Sequence, residues 1–466
     1  MQKLVFYFPW PEVSGGPSYL THLANEVAKR KLYEVYYTDY PNGLCEALLE
    51  EKNIKILKYR NEEKKFKIFP DEPVILVMAE YWAHMIPVVH PETKIVFFNW
   101  HNECIPVLQR DWCATDSYIE RFLSLIKETS SVFFCDKAHW LAHRRGDIVV
   151  DEQYVPVIVP PRNRIAKENL IKEGERNIAI LGRLCLDKIY AVLDLLDNIV
   201  SLRDKVKTNV YVIGEGDYEY LLTNRRFPDS IKIIRCGTLN IKNVLSLLAR
   251  KVDILFAMGT SVLEGAAISL PAVVIPNDIK EIQCNRYPYL FESEGYALGW
   301  YPDQIDDLSI TTHTIEEIFN DIYSNGKKAE IGTKCYEYWY KNHRENVDSF
   351  LCAINRSQLI YADFQTFTKK NINWKEIKCR VINKMKKLYG VTKHRFSILG
   401  FPIFTHTQTN YYHSNIYICC LPLLRIKHVN GVISIYILPL VWVWRVFQKI
   451  SCFFYKKIKG SNGKVE

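Results

Sequence analysis

The 466-residue sequence has no C-x-x-C pair and no regular histidine spacing beside its 13 cysteines, so it carries no recognisable metal-ligand pattern. The odd cysteine count indicates reduced thiols and a cytosolic compartment. A signal peptide is not expected: the apolar opening, 1–10, is interrupted by Pro9 and followed by Pro11, which keeps the amino-terminal part in the cytosol. The run 428–444, which lacks Lys, Arg, Asp and Glu, has 17 residues and contains Asn430-Gly431 and Pro439, so it makes a poor membrane-spanning helix. No Asp-x-Asp stands at the end of a strand candidate, so no divalent metal is implied. Acids are scarce in one place only. Residues 361–466 hold 18 Lys and Arg against Asp363, Glu376 and Glu466, a charge of +15, which leaves −6 for the first 360 residues.

With 48% hydrophobic and 24% charged residues, the chain is neither disordered nor a small disulfide scaffold, and its length allows two full domains and a remainder. Short apolar runs alternate with helical periodicity over the first 360 residues, which predicts β-α units and parallel sheets, an α/β fold. One set of strands is expected at 3–8, 34–37, 74–78, 94–98 and 131–135, and a second at 177–181, 210–213, 231–234, 253–256 and 272–275. Between the sets, Pro156, Pro160 and Pro161 precede the charged run Arg162-Asn163-Arg164. The expected domains are therefore 1–165, 166–360 and a basic, aromatic extension, 361–466.

The extension opens with Lys369, Lys370, Lys375, Lys378, Arg380, Lys384, Lys386 and Lys387, spaced as a basic helix. An apolar-Pro-apolar core then recurs around Pro402, Pro422 and Pro439, and Asn430-Gly431 between apolar runs predicts β-hairpins. Trp442, Trp444, Phe447, Phe453, Phe454 and Tyr455 beside Lys456, Lys457 and Lys459 suit an anionic bilayer surface met by 366–466. The competing possibility is a folded extension packed on the body. No RNA- or DNA-binding module is present, so nucleic acid is not an expected partner.

Four glycine turns follow strand candidates. In Ser14-Gly15-Gly16-Pro17-Ser18 the glycines let backbone approach a ligand, and the helix that follows presents unpaired N–H groups, although a plain β-α turn has the same form. In Gly182-Arg183-Leu184-Cys185-Leu186-Asp187-Lys188 two cations stand at a helix start, where they oppose the helix dipole unless an anion sits there, and their spacing suits a pyrophosphate. Gly214-Glu215-Gly216 is a weaker signal of the same kind. In Gly259-Thr260-Ser261-x-x-Glu264 the first three residues can bind phosphate; Glu264 either grips ribose hydroxyls or closes a capping box with Ser261.

Together these elements resemble the two-domain nucleotide-sugar glycosyltransferases of the GT-B fold, over roughly 1–360: a glycine turn after the first strand, Gly-Arg-x(4)-Lys opening the second domain, a strand ending in Gly-x-Gly, and an acid seven residues before Pro271. The resemblance implies two Rossmann-like domains facing a cleft, with Arg183 and Lys188 on the donor diphosphate, Gly15, Gly16, Gly182 and Gly214 along the donor path, Gly259, Thr260 and Ser261 donating to the diphosphate, and Glu264 on the ribose. It also implies His101, after the strand 94–98, as the residue on the transferred sugar, with Glu103 as a base. His84 and His139 are weaker candidates. The GT4-like group carries a second glutamate at the position of Phe256, and the Gly-Thr-Ser-x-x-Glu form also resembles inverting relatives, so retention or inversion stays open.

The expectation is a metal-independent hexosyltransferase that needs no cofactor besides its nucleotide-sugar substrate. It would act on a lipid-linked or surface-polysaccharide acceptor, such as lipopolysaccharide or capsule, from the inner face of a bacterial cell membrane. An epimerase of the same fold leaves the basic tail unexplained; a non-catalytic membrane scaffold is the other rival, in keeping with Phe256.

Overall fold

The structure is a computed structural model that describes residues 1–8, 15–40, 43, 45–58, 66–101, 104–110, 114–145, 147–162, 174–202, 204 and 206–371, and five strands between 392 and 437. One compact unit comprises Met1–Arg110 and Ala114–Asn371; the strands beyond 392 belong to a second.

The first unit is built on two parallel sheets. Six strands, β1 (Lys3–Tyr7), β2 (Glu34–Asp39), β3 (Lys55–Lys58), β4 (Ile75–Ala79), β5 (Lys94–Asn99) and β6 (Val132–Phe134), lie in the order β3-β2-β1-β4-β5-β6. Their helices are α1 (Gly15–Arg30), α2 (Cys104–Arg110), α3 (Asp116–Glu128) and α4 (Lys137–Ala142). The second sheet runs β11-β10-β7-β8-β9, from β7 (Glu175–Leu181), β8 (Lys207–Ile213), β9 (Ile231–Gly237), β10 (Ile254–Ala257) and β11 (Ala272–Val274). Between these strands run α5 (Leu186–Ser201), α6 (Glu219–Thr223), α7 (Ile241–Lys251) and α8 (Thr260–Ala267). Both orders are doubly wound, reversing between β1 and β4 and between β7 and β10, so each sheet has a switch point where loops diverge and leave a crevice. The two Rossmann-like lobes of an α/β fold, expected from the alternation of apolar runs and helical periodicity, are present.

Burial explains which strands the sequence reveals. Every residue of β4, Ile-Leu-Val-Met-Ala, and of β10, Ile-Leu-Phe-Ala, is buried, because strands covered on both faces read as continuous apolar runs. The edge strand β3, Lys-Ile-Leu-Lys, was not expected; it is short, has lysines at both ends and buries no residue fully.

A small antiparallel pair, β12 (Arg286–Tyr287) with β13 (His313–Thr314), and the helices α9 (Ile305–Leu308), α10 (Ile315–Phe319) and α11 (Lys328–Asn342) complete the second lobe. The chain then crosses back. In α12 (Val347–Arg356) the stripe Val347, Phe350, Ala353 and Ile354 joins the core of the first sheet, where Phe350 stacks on Phe6 at 5.7 Å. Ser357 Oγ donates to the Ile95 carbonyl (2.8 Å), and Phe364 of α13 (Tyr361–Asn371) meets Phe97 edge-on at 5.7 Å. The placing of all of 166–360 in the second domain is corrected accordingly: an amphipathic helix must cover an apolar face, and for 347–356 that face belongs to the first lobe.

The second unit contains an antiparallel meander, β14 (Thr392–Ile398), β15 (Phe401–Asn410), β16 (His413–Ile418), β17 (Leu421–Val429) and β18 (Val432–Ile437). The expected hairpin is present, with Val429 opposite Val432. Pro402 and Pro422 both stand beside register shifts, at the pairs Ser397↔Pro402 and Tyr417↔Pro422, where a residue without an N–H interrupts a ladder least. Most of the expected basic helix and the aromatic stretch from Trp442 lie outside the described residues. No helix among the described residues is long and apolar enough to cross a membrane.

Candidate functional site

The two lobes face each other across a cavity of about 450 Å³ whose lining comes from the carboxyl ends of strands in both sheets. The second lobe supplies Arg183, Asp187 and Lys188, after β7, and Met258, Gly259, Thr260 and Ser261, after β10. Gly259 adopts φ 61°, ψ −143°, a conformation open to glycine and costly for other residues, and this turn carries β10 straight into α8. No side chain caps α8 and no acid lies in its first turn, so its leading N–H groups remain available at the cavity wall. Among the described residues neither Arg183 nor Lys188 makes a salt bridge. This wall is an anion site made of fixed charge and backbone.

The first lobe supplies Gly15, Ser18 and Tyr19 from α1, Trp100 and His101 after β5, and Cys135, Asp136 and His139 after β6. Tyr19 is fixed by its hydroxyl, which donates to the Val155 carbonyl at 2.9 Å. The His101 N–H donates to Asn99 Oδ1 (3.3 Å), Asn99 Nδ2 donates to Glu80 Oε1 (2.9 Å), and the other Glu80 oxygen lies 2.7 Å from His143 Nε2. This fully buried Glu80–His143 pair anchors the turn that presents His101. Across the cavity, His101 Nε2 stands 3.8 Å from Asp187 Oδ2. Burial opposes ionisation of Asp187, but hydrogen bonding with His101 and the positive charge of Lys188 outweigh it and hold the carboxyl well below the usual range. Asp136, almost fully buried, caps α4 by accepting from the His139 N–H (2.9 Å) and lies 2.7 Å from His139 Nδ1.

Of the residues expected from sequence, Gly15, His101, Arg183, Lys188, Gly259, Thr260 and Ser261 meet in this one cavity. Others stand apart from it. A Cβ on Gly16 would come 2.8 Å from the Trp100 ring, so this glycine seats an aromatic wall residue. Gly214 (φ 123°) packs on Gly182, where a Cβ would come 2.1 Å from the Gly182 carbonyl oxygen; this glycine lets the loops after β7 and β8 touch. Glu264 is not in the lining. It also closes no capping box, because α8 begins after Gly259 and not at Ser261; its carboxylate pairs instead with Arg162, Nε to Oε2 at 2.9 Å and Nη2 to Oε1 at 2.5 Å. Phe256 lies inside β10, fully buried, with its ring edge-on to Tyr287. Glu103 lies outside the described residues. Among the described residues no three His, Cys, Asp or Glu side chains gather closely enough to hold a metal ion.

Sequence reasoning passed over Tyr19, Asp136, Asp187 and the Arg162 pairing. Asp136 had a usable signal, since it follows the strand 131–135 directly, where α/β sites collect.

No protein-family model and no curated protein matches the chain. Among solved structures, it is similar to a glycosyltransferase from Rickettsia africae ESF-5 (14% identity, covering 80% of this chain and 99% of that one, TM-score 0.42). It is also similar to the trehalose-6-phosphate synthase OtsA (11%, 77% and 100%, 0.46) and to WaaG, a glycosyltransferase involved in lipopolysaccharide biosynthesis (11%, 76% and 98%, 0.41). Its own topology, two doubly wound lobes with their strand ends on one cavity, is the GT-B arrangement.

Proposed function

We propose that the chain is a glycosyltransferase that moves a hexose from a nucleotide-diphosphate donor to a lipid-linked or surface-polysaccharide acceptor. The observation that carries this reading is the pairing of opposite walls in one cavity: the Gly259–Ser261 backbone with Arg183 and Lys188 on one side, and His101, held by Asn99, on the other. The diphosphate binds the first wall through charge-assisted hydrogen bonds. The transferred sugar then lies against His101 and the aromatic side chains of Tyr19 and Trp100. An acceptor hydroxyl oxygen forms the new bond to the anomeric carbon, the bond to the diphosphate breaks with its electron pair leaving on the diphosphate, and the hydroxyl proton passes to an oxygen of the departing diphosphate. Arg183, Lys188 and the α8 N-terminus are in place for that charge before the reaction begins, which is why we propose transfer without a metal or cofactor.

The basic extension, 366–466, is proposed to hold the enzyme on an anionic membrane surface on the cytosolic side, where a lipid-linked acceptor is within reach. The decisive experiment is a calorimetric titration with UDP, GDP, ADP, CMP and their sugar conjugates, beside Arg183→Ala. One diphosphate binds selectively, and the variant binds it about 10- to 100-fold more weakly. A folded wild-type protein that binds none of the panel overturns the assignment.

A further inference from the structure

The register of the meander β14 to β18 sorts its residues by chemistry. Successive residues of a strand alternate between the two faces, so residues paired across neighbouring strands share one face. One row runs through all five strands as Lys393, Thr407, Asn415, Arg425 and Tyr436. On the same face, Arg395 lies in a row with Thr405 and Tyr417, and Lys427 in a row with His413 and Ser434. The row of the opposite face, His394, His406, Ile416, Leu424 and Ile437, is apolar from β16 onward. The sheet is therefore amphipathic, with one face basic and polar. None of its four cations stands opposite a carboxylate, since the only acids after residue 371 are Glu376 and Glu466.

Cations on an outer strand need no ligand, because charge there blocks edge-to-edge pairing with another sheet. That accounts for Lys393 and Arg395 on β14. It does not account for Arg425 and Lys427, because β17 is flanked by β16 and β18. With strands about 4.8 Å apart and alternate residues of a strand about 7 Å apart, the two pairs of cations lie roughly 14 Å from each other. The separation within each pair falls inside the screening length of about 8 Å at physiological salt, so each pair is self-repelling unless anions meet it.

The backbone decides which surface supplies those anions. Among the described residues β14 and β18 are the outermost strands, and an outer strand has unpaired N–H and C=O groups that hydrocarbon does not satisfy. Such a sheet stays at the depth of the headgroups. Anionic phosphates are spread there over a plane, as the cations are over the sheet, and the Thr, Asn, Tyr and Ser of the same rows are residue types that donate to phosphate oxygens.

Resting on the membrane reading of 366–466, we propose that the basic face of the meander is the membrane contact of the chain. Its ligand is the phosphate of anionic lipid headgroups, taken by Lys393, Arg395, Arg425 and Lys427. Their placement on one face, and not the net charge of the extension, sets the affinity.

The test is sedimentation of the full chain with vesicles of phosphatidylcholine alone and of equimolar phosphatidylcholine and phosphatidylglycerol. Wild type sediments with the second only, and less so at high salt. Lys393→Gln and Lys427→Gln each weaken that binding about fivefold, and replacing all four cations by Gln weakens it more than about 100-fold. Removing four charges at Lys375, Lys378, Lys384 and Lys386 instead, again by Gln, costs less than about fivefold. Equal losses in the two four-site variants overturn the proposal, because net charge would then set the affinity. Release of the protein by an excess of free glycerol phosphate also overturns it, as does a sheet variant that loses single-stranded RNA but keeps the vesicles. Should the four-site sheet variant not fold, the single variants decide, and wild-type affinity in both overturns the proposal. If wild type does not sediment with anionic vesicles, the membrane reading fails and this one with it; if wild type sediments and the sheet variants match it, only this one fails.

Discussion

The two walls of the cavity are built from different materials. The second-lobe wall relies on a glycine turn, the backbone of a helix start, and the cations Arg183 and Lys188. The first-lobe wall relies on side chains: two histidines, the carboxylate of Asp136 and the rings of Tyr19 and Trp100. The contrast matches the two tasks of group transfer. A diphosphate carries the same charge whatever base or sugar it bears, so fixed electropositive groups serve it without adjustment. An attacking hydroxyl and a transferred sugar need orientation and a place for a proton, which polarisable and titratable side chains provide.

If that division of labour is right, damage to the two walls shows up in different quantities. His101→Ala is expected to give the largest effect, a fall in turnover of about 100-fold or more with nucleoside diphosphate affinity nearly unchanged. Product formation at saturating donor, measured beside calorimetry, separates the two. A loss that appears in diphosphate affinity instead would move His101 to the donor side and end the comparison.

The two walls were also unequally legible in the sequence. Gly182-Arg183 with Lys188, and Gly259-Thr260-Ser261, each follow an apolar run and precede helical periodicity, so local order alone places them at one end of a parallel sheet. His101 was visible for the same reason. What stayed hidden depends on distance along the chain. Arg162 and Glu264 are 102 residues apart, and no local pattern joins them. The stripe Val347, Phe350, Ala353 and Ile354 announces an amphipathic helix without saying which sheet it covers. The Asp136–His139 contact is local, yet an Asp opening a helix is also an ordinary cap, so the residue pattern does not distinguish the two. Even β3 escaped, because an edge strand flanked by lysines lacks the apolar run that marks buried strands.

The comparison also presupposes that the lobes stay facing each other, and their seam contains a titratable group. His343, wholly buried after α11, lies with its Nδ1 2.8 Å from the Val157 carbonyl of the interlobe connector, and the Val159 N–H donates to the His343 carbonyl at 2.9 Å. Burial lowers its pKa to about 4, despite the favourable contact with that carbonyl. Between the unfolded value near 6.5 and the folded value, the unfolded chain binds more protons, so stability is full above about pH 6.5 and declines as the pH falls towards 4. Urea unfolding is expected to show a loss of about 2 kcal/mol from this group between pH 7 and pH 4.5, with His22 acting in the same direction. His343→Gln should flatten that dependence. An unchanged slope in this variant would mean the seam does not sense the proton.

The smallest expected effect tests the second wall at its most specific claim, that at the α8 turn the backbone and not the Ser261 hydroxyl binds the diphosphate. Ser261→Ala removes one hydroxyl from the lining but leaves every N–H of the α8 turn in place, and the eight-residue helix is otherwise buried at Val262, Leu263, Gly265, Ala266 and Ala267, which hold it. One neutral hydrogen bond contributes about 1 kcal/mol, so affinity for the nucleoside diphosphate should fall no more than about fivefold. Gly259→Ala provides the contrast at the same turn: its Cβ meets open space, so any loss comes from forcing a side chain into φ 61°, ψ −143° and disturbing the backbone. That loss should exceed the one at Ser261. If Ser261→Ala instead weakens binding more than Gly259→Ala, the Ser261 hydroxyl and not the turn's backbone carries that part of the site.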